Sequence, residues 1–123
     1  MIYLIAAVGR QGQIGLNGRL PWRHPKDLQW FKEQTMGKVV VCGANTAEHL
    51  PHLPGRHLHV MQRHETPASV IGRYPLGEDI WVIGGAKTYQ QWMPYVDRCL
   101  ISLIDYDGPA DAWFPSIIPG MQP

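Results

Sequence analysis

Residues 80–93 read IWVIGGAKTYQQWM, four apolar residues that stop at Gly84-Gly85 and give way to a helix-forming run. An uninterrupted apolar run bounded by glycine reads as a strand covered on both faces. The glycine pair then opens the helix over 86–93, where bare backbone amides at a positive helix end can approach a pyrophosphate. The pair is neither a GxGxxG fingerprint nor a P-loop, so a tight strand-to-helix turn with a purely architectural role remains the alternative.

The same alternation extends in both directions. IYLIAAV at 2–8 ends at Gly9, and KVVVC at 38–42, HLHVMQ at 57–62 and CLISLI at 99–104 are further apolar runs of strand length. PKDLQWFKEQT at 25–35 suits a helix with Pro25 at its first position. Asn45-Thr46-Ala47-Glu48 has capping-box spacing, which predicts a short helix after Gly43 and a second glycine-led helix start on the same sheet. Buried strands alternating with helices predict an α/β fold, three-layer α/β/α with a mostly parallel central sheet, whose ligands bind beyond the carboxyl ends of the strands. Residues 9–23, GRQGQIGLNGRLPWR, hold four glycines and one apolar island at Ile14, and predict a long functional loop that serves as a lid.

At 123 residues, 45% hydrophobic and 17% charged, the chain is expected to form a single domain over 1–123 with a core that needs no disulfides. Cys42 and Cys99 lie in apolar runs and are expected to be buried, reduced thiols. A net charge of +1 without a basic stripe argues against nucleic acid. No leader and no apolar run near 20 residues is visible, so a soluble, cytoplasmic protein with no membrane partner is expected.

Asp27 is the most informative single residue. At about 100° per residue, Leu28, Trp30 and Phe31 define an apolar arc, and Asp27 falls within it, away from Lys26, Gln29, Lys32 and Glu33. An acid in a first helical turn ordinarily just complements the helix dipole. One turned toward the core needs a cationic or donor-rich partner, which makes it a ligand contact. Arg56, after Pro54-Gly55, is either a two-pronged clamp for a carboxylate or a solvated turn residue. His57 and His59 share one face of a strand, but no third ligand lies at useful spacing; outward-facing polar alternation accounts for them and no metal is expected. His24, His49, His52 and His64 scatter through loops and helix ends, and no serine or cysteine sits in a nucleophile elbow.

These residues converge on a family. From Met1 to about Pro115 the chain resembles the dihydrofolate reductases: IGLNGRLPWRHPKDLQWFK at 14–32 is similar to the family's lid and acid-bearing helix, followed by Gly43 and Thr46, the LPGR turn, VIGGAKTY and the closing DAWFP. The resemblance implies hydride transfer from NADPH to the pterin ring of dihydrofolate, giving tetrahydrofolate. Asp27, Trp22, Leu20 and Ser102 are the catalytic group it implies, with Asp27 binding the ring, Ser102 supporting the carboxylate and Trp22 ordering a water. Substrate contacts fall on Ile5, Ala6, Ala7, Leu28, Phe31, Leu50, Leu53, Arg56, Ile83 and Tyr89. Cofactor contacts fall on Ala7, Ile14, Leu20, Gly43, Ala44, Asn45, Thr46, Met61, Gln62, Arg63, Ile83, Gly84, Gly85, Ala86, Lys87, Thr88 and Tyr89.

The sequence departs from the family's pattern at three places. Ala44 stands where a basic residue usually meets the cofactor's phosphates, leaving Arg63 as the candidate. Ala47 stands where tryptophan is common. The family's final antiparallel hairpin has no counterpart after CLISLI, so the edge strand is expected to pair with a second chain through residues 98–106 and the tail SIIPGM, giving a homo-oligomer, a dimer. Two other readings stay open: a noncatalytic nucleotide-binding or structural relative, and a reductase of the same fold acting on another heterocycle.

Overall fold

The computed structural model describes residues 1–115. In chain order the elements are β1 (Ile2–Val8), β2 (Gln13–Gly15), α1 (Pro25–Thr35), β3 (Val39–Cys42), α2 (Ala44–His49), β4 (His57–Val60), α3 (Pro67–Ile71), β5 (Ile80–Gly84), α4 (Ala86–Trp92), a 3-10 turn (Met93–Tyr95), β6 (Arg98–Leu103) and β7 (Ala112–Trp113). Five strands form one sheet in the order β4-β3-β5-β1-β6, and every pairing in it is parallel.

Side chains alternate across this sheet with the period of two that extended backbone imposes. Leu4, Ala6 and Val8 of β1, Val41 of β3 and Val82 of β5 face one way and pack with Val70 of α3 and with Tyr89 and Trp92 of α4. Ile5, Val40 and Trp81 face the other way and pack with Trp30 and Phe31 of α1. Helices on both faces explain why the central strands are apolar at every position. Leu4, Val40, Val41 and Val82 have no exposed surface, and burial of such side chains stabilises the fold by roughly 1.5–3 kcal/mol each.

Several expectations are corrected. β4 is not covered on both faces but is a sheet edge, with His57 and Leu58 exposed; β6 is the other edge of the described sheet, as expected for CLISLI, with Cys99 and Leu103 exposed. Cys99 is therefore not a buried thiol, whereas Cys42 is. Burial pushes the Cys42 thiol up to about 11, and a thiol-modifying reagent at neutral pH should titrate Cys99 alone in the folded chain and both cysteines after unfolding. Two fast-reacting thiols in the native protein would contradict that burial.

The predicted box at Asn45 does not form. Gly43 is the N-cap, no side chain caps the helix, and α2 begins at Ala44. Between β4 and β5, where the sequence offers no long apolar run, Pro67–Ile71 forms α3, whose Thr66 and Ser69 make a reciprocal capping box at 3.0 and 3.1 Å. Residues 9–23 are not a free loop. β2 pairs antiparallel with β7 inside the DAWFP stretch, Ile14 and Gln13 are buried, and Arg10 bonds to Asp105 and Gln11 to Asp107. Asn17 and Gly18 have φ of 53° and 79°, the two positive values an Asn-Gly hairpin turn requires; Leu16 and Arg19 close that turn with backbone hydrogen bonds. The tail SIIPGM lies outside the described residues.

Candidate active site

The floor of the site is the row of strand ends at β3, β5 and β1. β3 ends at Cys42, which pairs with Gly84 across a register shift, and the Gly43 N–H donates to Gly84 O at 2.9 Å. A Cβ at Gly43 would lie 2.6 Å from Thr88 Oγ1, and one at Gly85 would lie 3.0 Å from Thr46 Oγ1. Glycine at these positions therefore leaves backbone where side chains would stand. The expected cofactor residues assemble here: Gly43, Ala44, Asn45 and Thr46 begin α2, while Gly84, Gly85, Ala86, Lys87 and Thr88 begin α4. The Met61 N–H donates to Cys42 O at 2.9 Å, bringing Met61, Gln62 and Arg63 to the end of the same row.

α1 forms the opposite wall. His24 Nδ1 accepts from the Asp27 N–H at 3.1 Å and Pro25 takes the first turn, so the helix starts as its sequence predicts. Asp27, Phe31 and Thr35 recur every four residues and form its inward stripe; Asp27 is 8% exposed and Thr35 is 0% exposed. Asp27 lines a cavity of about 380 Å³ with Ser102, His24, Lys26, Trp30, Ile101, Leu103 and Ile104. Its carboxylate makes no hydrogen bond among the described residues. A buried carboxylate without a partner is costly, which marks Asp27 as a ligand-facing group.

The other expected substrate residues divide. Ile5, Phe31, Leu53 and Ile83 share one apolar cluster, with Ala6 buried and Ala7 half-buried beside Ile5 on β1. Leu50 is half-buried at the end of α2. Leu28 departs from the predicted apolar arc, being 51% exposed; Leu20 is exposed as well. Trp22 packs on Tyr106 with ring centroids 5.3 Å apart. Tyr89 lies beneath the site, donating its hydroxyl to Ile5 O at 2.8 Å. Burial raises its phenol above the ordinary value. Arg56 is not a solvated turn residue: its Nε donates to Pro54 O and its guanidinium to Thr35 Oγ1, both at 3.3 Å.

Two features escaped the sequence reading. One is Asp111, which accepts from the Asn17 N–H at 3.0 Å and whose own N–H donates to Gly15 O, tying the 9–23 segment down. The other is Glu65. His59, expected to face outward, instead has only 12% of its side chain exposed and bonds to Glu65. The backbone N–H of Gln62 does most to hold the Glu65 carboxyl below its ordinary value of 4.5; burial opposes this, and His59 and Arg73 add to the lowering. A carboxyl lowered on folding contributes stability that is full above its unfolded value and lost as pH falls below it. Thermal midpoints of the native chain should therefore fall as pH drops below about 4.5, and Glu65→Gln should remove part of that fall. An unchanged acid profile in the variant would refute the assignment.

A parallel α/β sheet whose strand ends present two glycine-led helix starts, with a buried acid on a helix packed against one sheet face, is the arrangement found in enzymes of the nucleotide-cofactor class. The comparisons narrow the class. Residues 1–120 match the family model described as Dihydrofolate reductase. A dihydrofolate reductase of Mycobacterium tuberculosis is 37% identical over 123 residues, covering 91% of this chain and 76% of that protein. A dihydromethanopterin reductase of Methylorubrum extorquens is 36% identical over 118 residues, covering 89% of this chain and 87% of that protein. The structure of a dihydrofolate reductase from Enterococcus faecalis, complexed with NADP(H) and RAB-propyl, superimposes with a TM-score of 0.84 at 29% identity, covering 95% of this chain and 78% of that one. The chain belongs to the dihydrofolate reductase family.

Proposed function

We propose that the chain transfers hydride from NADPH to dihydrofolate, yielding tetrahydrofolate, as a single cytoplasmic domain. The observation that carries this is Asp27, buried, without a hydrogen-bond partner among the described residues, and lining a cavity with Ser102. A carboxylate so placed accepts two hydrogen bonds from the amino group and ring nitrogen of a pterin and favours a proton on the nitrogen beside the carbon that is reduced. Ser102 lines the same cavity without a hydrogen bond to Asp27, so its hydroxyl supports the carboxylate only once the ring is bound, and Trp22 orders a water near the ring. Asp27 and Thr35 are eight residues apart on α1, about 12 Å at 1.5 Å per residue. Arg56, bonded to Thr35, is thereby spaced to grip a carboxylate at the far end of a substrate whose ring sits on Asp27.

The residues at the strand ends fit the cofactor, because a Cβ at Gly43 would fill the approach that a pyrophosphate needs. NADPH supplies the hydride when bound. Gly43 to Thr46 and Gly84 to Tyr89 hold the pyrophosphate and nicotinamide side, Met61 to Arg63 the adenosine side, and Ala7, Ile14 and Leu20 exclude water from the nicotinamide.

The experiment is NADPH oxidation with dihydrofolate, run beside dihydromethanopterin because a reductase of that pterin is 36% identical. Turnover of dihydrofolate supports the proposal. Oxidation with dihydromethanopterin alone transfers the reading to that substrate, and none with either favours a noncatalytic relative.

A dimer through residues 98–106 belongs to the same proposal. β6 is a sheet edge with Leu103 80% exposed, the kind of strand that pairs with another chain. Gel filtration at micromolar concentration should give a dimer; a monomer would refute this part.

A further inference from the structure

Outside the Asp27 cavity, Glu65 is more deeply buried than the site's own acid, at 4% exposed against 8% for Asp27. Its Oε1 accepts from the Gln62 N–H at 2.7 Å, both carboxylate oxygens lie 3.1 Å from His59 Nε2, and Arg73 reaches Oε2 at 3.2 Å. The partners come from β4, from the turn that follows it and from the segment after α3. With the Glu65 N–H donating to Gln62 O at 3.1 Å, they define the path of Gln62-Arg63-His64-Glu65.

This turn leaves β4 directly after Met61, which is bonded to Cys42 O, so it stands beside the Gly43 start of α2. At its tip Arg63 and His64 are exposed, and neither has a hydrogen bond or ion pair among the described residues. The neighbouring helix start carries Ala44 and Asn45 and brings no positive charge. A solvated loop has no need of a buried carboxylate, which is tolerated only when fully paired. A loop that must present a guanidinium in one place gains from it, because backbone ordered in advance lowers the entropy lost on binding.

We infer that Glu65 is a positioning residue: with His59 and Arg73 it holds the 62–65 turn so that Arg63 meets a phosphomonoester on the adenosine half of the dinucleotide, setting the preference for the phosphorylated cofactor. The inference rests on the reductase reading proposed above.

Dissociation constants for NADPH and NADH, measured at equilibrium by quenching of tryptophan fluorescence, test it apart from turnover. Native protein should bind NADPH more tightly than NADH. Glu65→Gln places an amide N–H against the donors of His59 and Arg73; it should weaken NADPH about tenfold and NADH less than twofold. Arg63→Ala should do the same, and the double variant should be no worse than either, since both remove one interaction. Equal weakening of both cofactors by Glu65→Gln, or additive losses in the double variant, would overturn the inference. Should Glu65→Gln fail to fold, Arg73→Ala decides: Arg73 is 56% exposed, and its loss should weaken NADPH selectively, about threefold, whereas no selective loss overturns the inference. Native protein that binds neither cofactor refutes the reductase reading instead.

Discussion

Asp27→Asn should lower kcat/KM for dihydrofolate by about 10²–10⁴-fold while the protein stays folded. The amide occupies the same volume but offers one acceptor oxygen where the carboxylate offers two, and it carries no charge to favour a proton on the bound ring. The side chain is 8% exposed and its carboxylate has no hydrogen-bond partner among the described residues. Replacing it removes the cost of burying an unpaired charge rather than a structural bond. The thermal midpoint should therefore hold or rise as activity falls. Steady-state kinetics and a melting curve on one preparation check both halves. Undiminished turnover would remove Asp27 from the chemistry, and a collapsed midpoint would make it an architectural residue.

Gly43→Ala should weaken NADPH binding by at least tenfold and destabilise the fold by about 1–3 kcal/mol. The added methyl would lie 2.6 Å from Thr88 Oγ1. Thr88 is itself 6% exposed in the first turn of α4, so its hydroxyl has little room to withdraw. Nor can the backbone, because the Gly43 N–H is bonded to Gly84 O at 2.9 Å. The two helix starts must separate, and the amides proposed to meet the cofactor's phosphates move with them. Thr88→Ala in the same chain should restore most of the loss, a compensation that identifies the clash as the cause. Cofactor titration with denaturant unfolding measures both effects; normal binding by Gly43→Ala alone would refute the geometry.

Much of the site was legible because its signals are local. Pro25 at the first helical position, Asp27 turned inward and the glycine pair after IWVI each follow from a few neighbouring residues, and the structure places them as read. Asn17-Gly18 carries an equally local signal, since that dipeptide favours two positive φ values, although the four glycines around it make the whole segment read as loop. Thr66 and Ser69 were likewise a readable capping pair. Glu65 was different. Nothing in HETPAS distinguishes it from a surface acid, because His59 and Arg73 reach it only once β4 and α3 have packed.

The alternation of apolar runs with helix starts was enough to establish a parallel α/β chain, an acid-bearing helix and two glycine-led helix starts at the strand ends, because backbone preference and burial period act between residues close along the chain. That β4 is a sheet edge, which cysteine reaches solvent, and what ties the 9–23 segment to Asp105 and Asp111 were decided by tertiary pairing alone. The contacts to Asp105 and Asp111 join residues more than ninety positions apart, where no local propensity can tell one partner from another.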